Sequence, residues 1–273
     1  MPRRLSLCML LSLLFACGPQ APDRTQLSGS TLTYYEGLDH LEGETLKMAL
    51  HERIREAIKL NYNQVWSYMR TADADPTQDD RMIMVYSQKS LPASSVGGGE
   101  DASGWNREHV WPSSRGFSRT NMPAHTDLHN LRACEVTINR LHGDMSFGEA
   151  PAGLEVPGAP GTRYDKAALI WEPSDEVKGD IARTLLYMDV RYQGGVKGES
   201  DLRLVEKLPA GLLKGHDAEG NGYLENLHTL LRWHEQDPVD AAELRRQEKV
   251  FAIQKNRNPF IDHPEYARLI YGY

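Results

Sequence analysis

Two adjacent side chains, Glu108 and His109, constrain the local backbone more than any other pair in the chain. They stand in the stretch Trp105-Asn-Arg-Glu-His-Val-Trp-Pro112. A second stretch follows, Asp127-Leu-His-Asn-Leu-Arg-Ala-Cys-Glu-Val-Thr-Ile-Asn139. Both read as short strand-like pieces, and the second runs on into a helix-like one. Neighbouring residues in a regular strand point to opposite faces. If Glu108 and His109 act on one ligand, the chain there cannot be ideal β. The expectation is a bulge, or a strand that ends at the pair, with Pro112 blocking continuation. A flat, paired strand through 107–111 would speak against a shared ligand.

The rest of the chain reads as helices joined by irregular pieces. Between Gly43 and Thr71 the apolar positions Leu46, Ala49, Leu50, Ile54, Ala57, Ile58, Val65 and Met69 keep helical spacing. That predicts two helices broken near Asn61-Tyr62-Asn63. Arg81 to Tyr86 reads as a short strand, followed by a Ser/Gly-rich loop from Pro92 to Gly104. Residues 149–163 read as a Pro/Gly-rich connection. Ser174 or Asp175 as N-cap, acids in the first turn and Val177, Ile181, Leu185 and Met188 on one face predict a helix ending before Gly194-Gly195. Two further helices are expected, from about Tyr223 to Glu235 and from Val239 to about Lys255. With no internal repeat, residues 31–273 read as one α+β domain, mostly helical.

The first residues carry a targeting signal. Arg3 and Arg4 precede an apolar run, Leu5 to Ala16, which is too short to span a bilayer and reads as a secretory signal peptide. Leu14-Phe15-Ala16-Cys17 resembles a lipobox. Residues 1–16 are therefore expected to leave and Cys17 to carry lipid, with plain secretion as the alternative. Residues 17–30 then form a flexible tether between envelope membrane and domain. This leaves Cys134 alone, so the mature chain has no intramolecular disulfide, and Cys134 reads as a small buried hydrophobe. A net charge of -7 argues against a polyanionic partner unless cations gather locally. Between Lys89 and Arg140 they are richer than elsewhere: Arg107, Arg115, Arg119, Arg132 and Arg140 stand against Glu100, Asp101, Glu108, Asp127 and Glu135.

Glu108 with the amide oxygen of Asn139 is a hard-oxygen donor pair suited to Mg²⁺, which takes few protein ligands and keeps its waters. An imidazole titrating near neutral pH, His109 or His129, suits a general base. An isolated Glu-His pair is more often a surface Glu beside a satisfied His. The ordered motifs tip this balance: Asn106-Arg-Glu-His-Val-Trp-Pro112, Asp127-Leu-His-Asn-Leu-Arg-Ala133 and then Asn139 resemble the bacterial endonuclease I family of extracellular and periplasmic nucleases. Gly179-Asp-Ile-Ala-Arg183 with Tyr187-Met188 and Arg191-Tyr192, and the run Gln254 to Glu265, extend the resemblance over most of residues 32–266. It implies a ββα-metal (His-Me finger) core and non-specific hydrolysis of DNA, with RNA open as a second substrate. By position it implies His109 as the base that activates water, and Glu108 and Asn139 as ligands of one divalent ion. That ion would be Mg²⁺, with Mn²⁺ or Ca²⁺ as alternatives. It also implies a phosphate-stabilising arginine between the motifs, Arg115 or Arg119. Asp127, His129 and Asn130 are expected to brace the second strand and the base. The protein is expected to be an exported monomer.

After Asn139 the chain departs from that pattern. Relatives commonly show an Arg and then an Asn, where this chain has His142 and Asp144. Asp144 would add a ligand or face solvent, and His142 would contact phosphate only when protonated. Asp217-Ala-Glu-Gly-Asn-Gly222 partly fits a calcium loop but has His228 in place of the closing Glu, so a polar turn is expected. Glu243 to Lys249 reads as a solvated helix face. Arg257 either reaches the site or anchors the C-terminal segment. A surface protein that only binds has no need of Glu108, His109 and Asn139 together, and no His-Glu-x-x-His spacing supports a zinc hydrolase.

Overall fold

A helix that is apolar around most of its circumference has to be enclosed. The computed structural model describes residues 33–98, 102–196, 198–212 and 215–272. In it, the helix Lys178–Arg191 is such an element: every residue except Asp180 is buried. Gly43–Ile54 and Leu227–Gln236 pack against it. Its polar residues are paired inside the core, with Arg183 bidentate on Glu243 at 2.7 and 2.5 Å. The expected N-cap at Ser174 or Asp175 is absent, and the helix starts later, at Lys178. The cap comes instead from a distant residue: Gly179 donates its N–H to Asp237 at 2.8 Å. Only glycine permits this, because a Cβ there would lie 1.9 Å from the Asp237 carbonyl oxygen.

The early helices match the periodicity, as Gly43–Ile54 and Val65–Ala72, with the break spanning Asn61 to Asn63. Ala241–Gln254 follows the Asp240 cap, whose carboxylate accepts from Ala242 and Glu243. Two expectations are corrected. Residues 149–163 are not merely a connection, since Leu154–Val156 and Ala159–Asp165 form a hairpin within a four-stranded sheet. Pro160 and Gly161 fall where the pairing register shifts, which is where a strand tolerates them. The helix expected from Tyr223 starts at Leu227, because Gly222–Leu224 pairs as a parallel strand with Leu202–Leu204.

The candidate site residues lie on a smaller unit. Strands β1 (Trp105–His109) and β2 (Leu131–Glu135) pair antiparallel from Trp105↔Glu135 to His109↔Leu131, without a register shift. Helix α1 (Val136–His142) follows β2 with no intervening loop. This is the ββα unit that the resemblance implied, on an α+β background. One apolar cluster with Trp105, Leu128, Leu131 and Val250 anchors the ribbon, while a larger one surrounds Lys178–Arg191. Among the described residues no helix is long and apolar enough to cross a membrane. The expected leader, Cys17 and tether lie outside the described residues.

Candidate active site

The β1–β2 ladder ends at His109, as one of the two expectations required, and no bulge is present. The ending has a specific cause. Val110 still donates to the Asn130 carbonyl at 3.1 Å. At Trp111 the side chain of Asn130 replaces the partner strand: Trp111 N–H donates to Oδ1 at 2.7 Å, and Nδ2 donates to the Trp111 carbonyl at 3.2 Å. Glu108 and His109 thus remain on opposite faces of β1, at its end. The Arg107 carbonyl points away from β2 and accepts from Asn139, so α1 touches the outer edge of the same strand.

On one face Glu108 is buried, 2% exposed. Tyr86 donates its hydroxyl to Oε1 at 2.8 Å, and His142 Nδ1 lies 2.8 Å from the same oxygen. Burial and the neighbouring carboxylate hold the Tyr86 phenol well above its ordinary pKa, so it stays a donor. His142 sits among the rings of Tyr86, Phe147 and Trp171, with centroids 5.0–5.6 Å away. It therefore faces Glu108 and not a phosphate, because the aromatic wall shuts it off from solvent. Asp144 is exposed, and it is its backbone carbonyl that is used, by Arg115.

Asn139 donates Nδ2 to Asn106 Oδ1 at 2.7 Å and to the Arg107 carbonyl at 3.2 Å. Its donors are thereby committed and its Oδ1 remains. On Glu108 both partners hold Oε1, which leaves Oε2. Among the described residues no group of three or more His, Cys, Asp or Glu gathers as a metal cluster. One carboxylate oxygen and one amide oxygen suit a hard ion that retains most of its water.

On the other face His109 Nε2 lies 2.9 Å from the His125 carbonyl oxygen. A carbonyl only accepts, so Nε2 carries the hydrogen and Nδ1 keeps the lone pair. Burial first, and then His125, lower the His109 pKa to about 3, below the near-neutral titration expected of it, so the ring is neutral at working pH. Its ring is flanked by His125 at 4.6 Å, Phe117 at 5.9 Å and Tyr62 at 6.5 Å. His125 in turn bonds the Phe117 carbonyl through Nδ1 at 3.0 Å, closing the loop that carries it. Arg107 packs its guanidinium 3.5 Å over the Tyr62 ring and donates to the Tyr62 carbonyl.

The two candidate arginines differ. Arg115 is buried: it donates twice to the Asp144 carbonyl, at 3.1 and 2.7 Å, and pairs with Glu225 at 3.3 Å. Arg119 is exposed, two residues beyond Phe117. Arg257 anchors the C-terminal segment, bound to Asp262 and Glu248. Asp127 accepts four hydrogen bonds, from His129 N–H, Gln254, Tyr187 and Tyr192. His129 is buried beside Asn256 and Tyr187, on the bracing side and not at the strand end. The loop at Asp217 closes on itself through Asn221 and Tyr223, a polar turn. The run Glu243 to Lys249 is not a solvated face: Glu243 is buried on Arg183, and Arg246 bonds Asp73 and the carbonyls of Leu128 and Leu131. Cys134 is fully buried, with its thiol pushed up by desolvation. Sequence reasoning missed Tyr86, His125 and Tyr62. Only His125, two residues before the motif that begins at Asp127, carried a signal.

A family model described as Endonuclease I matches residues 42–265. An extracellular ribonuclease of Bacillus amyloliquefaciens is 45% identical over 244 residues, covering 88% of this chain and 78% of that protein. An extracellular ribonuclease of Bacillus subtilis (strain 168) is 40% identical over 257 residues, covering 94% of this chain and 82% of that protein.

Proposed function

This chain belongs to the endonuclease I family, and we propose on that premise that it is an exported, metal-dependent endonuclease with little sequence preference. RNA is a substrate on this reading, as the ribonuclease names of its relatives suggest, and DNA is hydrolysed by the same phosphate chemistry. Extracellular relatives support export. The leader and Cys17 extend this to a lipid anchor on the cell envelope.

One observation carries the reading. At the end of β1, His109 is held in a single tautomer on one face, while Glu108 Oε2 on the other face and Asn139 Oδ1 at the strand edge have no hydrogen-bond partner among the described residues. Glu108 and Asn139 would hold a divalent ion, Mg²⁺ by preference, which when bound neutralises charge building on the phosphate. His109 Nδ1 takes a proton from water while the water oxygen forms its bond to phosphorus. The ester bond to the leaving oxygen breaks in line, and that oxygen takes its proton from solvent. Nε2–H on the His125 carbonyl fixes the ring as the imidazolium forms. Because β1 stops at His109, a phosphate at the strand's outer edge is within reach of side chains from both faces. Arg119, exposed beyond Phe117, is the cation proposed for the phosphate. Arg115 lies buried with its donors committed, and is proposed to hold the turn after α1.

The test is cleavage of a single-stranded RNA and of supercoiled plasmid with Mg²⁺, with and without chelator, beside His109→Ala. The expected result is cutting of both substrates that chelator and His109→Ala abolish. Intact substrates under every divalent ion, or equal cutting by His109→Ala, would overturn it.

A further inference from the structure

Two hollows lie beside the His109 face, and they share one residue. The larger, about 490 Å³, is walled by Lys59 to Asn63 on one side and by Thr120 and Asn121 on the other. The smaller, about 170 Å³, lies between residues 55–59 and a wall that includes Pro123, Thr126 and Asp127. The two adjoin at Lys59, with residues 55–63 along one side and 120–127 along the other, and Arg191, Tyr192, Glu199 and Gln254 complete the wall of the smaller; together they offer one groove. At its inner end stands Tyr62, whose ring is 4.6 Å from that of His125 and 6.5 Å from that of His109.

The chemistry of the walls is unlike that of the chain as a whole. The protein carries 38 acids and a net charge of -7. Yet among the described residues that line the larger hollow there is no carboxylate: they present Lys59, the amides of Asn61, Asn63 and Asn121, the Thr120 hydroxyl and the Tyr62 ring. Lys59, Asn61 and Asn63 are exposed. In the smaller hollow Asp127 is enclosed by its four donors, and Glu199 is paired with Arg191. Little free negative charge faces the groove anywhere along its length.

We propose that this groove is a binding track for single-stranded nucleic acid, holding the nucleotides on one side of the scissile phosphate. Lys59 meets a backbone phosphate at its midpoint. The three amides supply donors and acceptors for unpaired base edges or sugar hydroxyls, and Tyr62, backed by the Arg107 guanidinium, offers a ring for an unpaired base. Arg55 lies on the same wall as Lys59 in the smaller hollow, and cations along a groove combined with an aromatic ring are how single strands are held without sequence preference. A duplex keeps its bases stacked inside and would leave the amides and the ring unused. This deepens the nuclease reading and rests on it.

The experiment uses Lys59→Gln, an exposed position outside the catalytic set. Binding of a fluorescent oligothymidylate to His109→Ala and to His109→Ala/Lys59→Gln is followed by anisotropy across a salt series with Mg²⁺ present. Loss of one phosphate contact should lower the slope of log K against log salt by about 0.7 and weaken binding by about three- to tenfold. In the active background, Lys59→Gln should raise KM for the oligonucleotide to a similar degree at unchanged kcat. Its hydrolysis of bis(4-nitrophenyl) phosphate, too short to enter the groove, should equal that of the parent. Equal salt slopes and equal KM values would overturn the track. A parent that cuts neither substrate would overturn the nuclease reading instead, and the anisotropy series would still decide the groove.

Discussion

Asp127→Asn is an informative perturbation because the hydrogen-bond directions around that carboxylate are fixed. Oδ1 accepts from His129 N–H at 2.9 Å and Gln254 Nε2 at 2.8 Å, and Oδ2 accepts from Tyr187 and Tyr192, both at 2.8 Å. Tyr187 already accepts from Asn256 at 2.8 Å, so if it reversed its role toward residue 127 its hydrogen would be left without an acceptor. Burial, and then the Asp127 charge, push both phenols well above their ordinary range, so both remain donors. An asparagine would keep its oxygen toward His129 and Gln254 and turn its NH₂ toward two hydroxyl donors. Tyr192 can rotate to accept, but its hydrogen then has no acceptor in a buried site. Hydrogen bonds to a charged group contribute about 1.5–3 kcal/mol, and a stranded buried donor costs about 1–3 kcal/mol. The net expectation is about 2–4 kcal/mol of destabilisation, or about 5–15 °C in Tm for a domain of this size. Tyr192→Phe, which removes one bond and reverses none, should cost about half as much. Thermal unfolding followed by circular dichroism measures both. If Asp127→Asn melts within a degree or two of the parent, the directional argument is wrong.

The two arginines should separate by assay: Arg115→Ala lowers Tm by several degrees, whereas Arg119→Ala leaves Tm unchanged and lowers kcat/KM by about 10–100-fold. An Arg119→Ala variant with parental kinetics would remove Arg119 from the site. His142→Phe fills the aromatic cage but withdraws the contact with Glu108 Oε1. Mn²⁺ affinity, titrated by electron paramagnetic resonance, should fall by about 10–100-fold, and unchanged affinity would count against His142 as a positioning residue. Stability should also fall with acid. Burial lowers the pKa values of His129 and His234 to about 4 in the folded protein, against about 6.5 unfolded. As pH drops below 6.5 the unfolded chain binds these protons first. Stability is therefore full above pH 6.5 and is lost as pH falls through 4, by on the order of 2–3 kcal/mol per group. A urea midpoint that stays flat between neutral pH and about 4.5 would refute the assignment.

What could be read in the sequence was local or periodic. The ββα unit followed from two ordered motifs, and the early helices from the spacing of Leu46, Leu50, Ile54, Val65 and Met69. The geometry of two adjacent side chains left a bulge or a strand end open at the Glu108-His109 pair; the strand ends, and the side chain of Asn130 takes the partner's place one residue before the expected block at Pro112. What could not be read depends on partners distant in the chain. The helix at Lys178 takes its cap from Asp237, 58 residues on from Gly179. Glu243 and Arg246 look like a solvated face until Arg183 and Asp73 are brought against them. His142 reads as a histidine that contacts phosphate only when protonated, because nothing local announces a cage drawn from Tyr86, Phe147 and Trp171.

The strand end links these cases. Were pairing to continue through Trp111, a ligand of Glu108 and one of His109 would be kept on opposite sides of a continuous ribbon. Asn130 prevents this by giving its side chain to Trp111 in place of a backbone partner. The position of Asn130 is fixed in turn by Asp127, whose carbonyl accepts from the N–H groups of both Asn130 and Leu131. The same segment carries His125, whose carbonyl sets the tautomer of His109. The short stretch from His125 to Leu131 therefore does two things: it orients His109, the proposed base, and it stops the ladder at the Glu108-His109 pair. A motif that reads as a brace for the second strand determines the geometry of the first. For this reason the deeply buried Asp127, which touches no substrate, should matter to the site as much as to the fold.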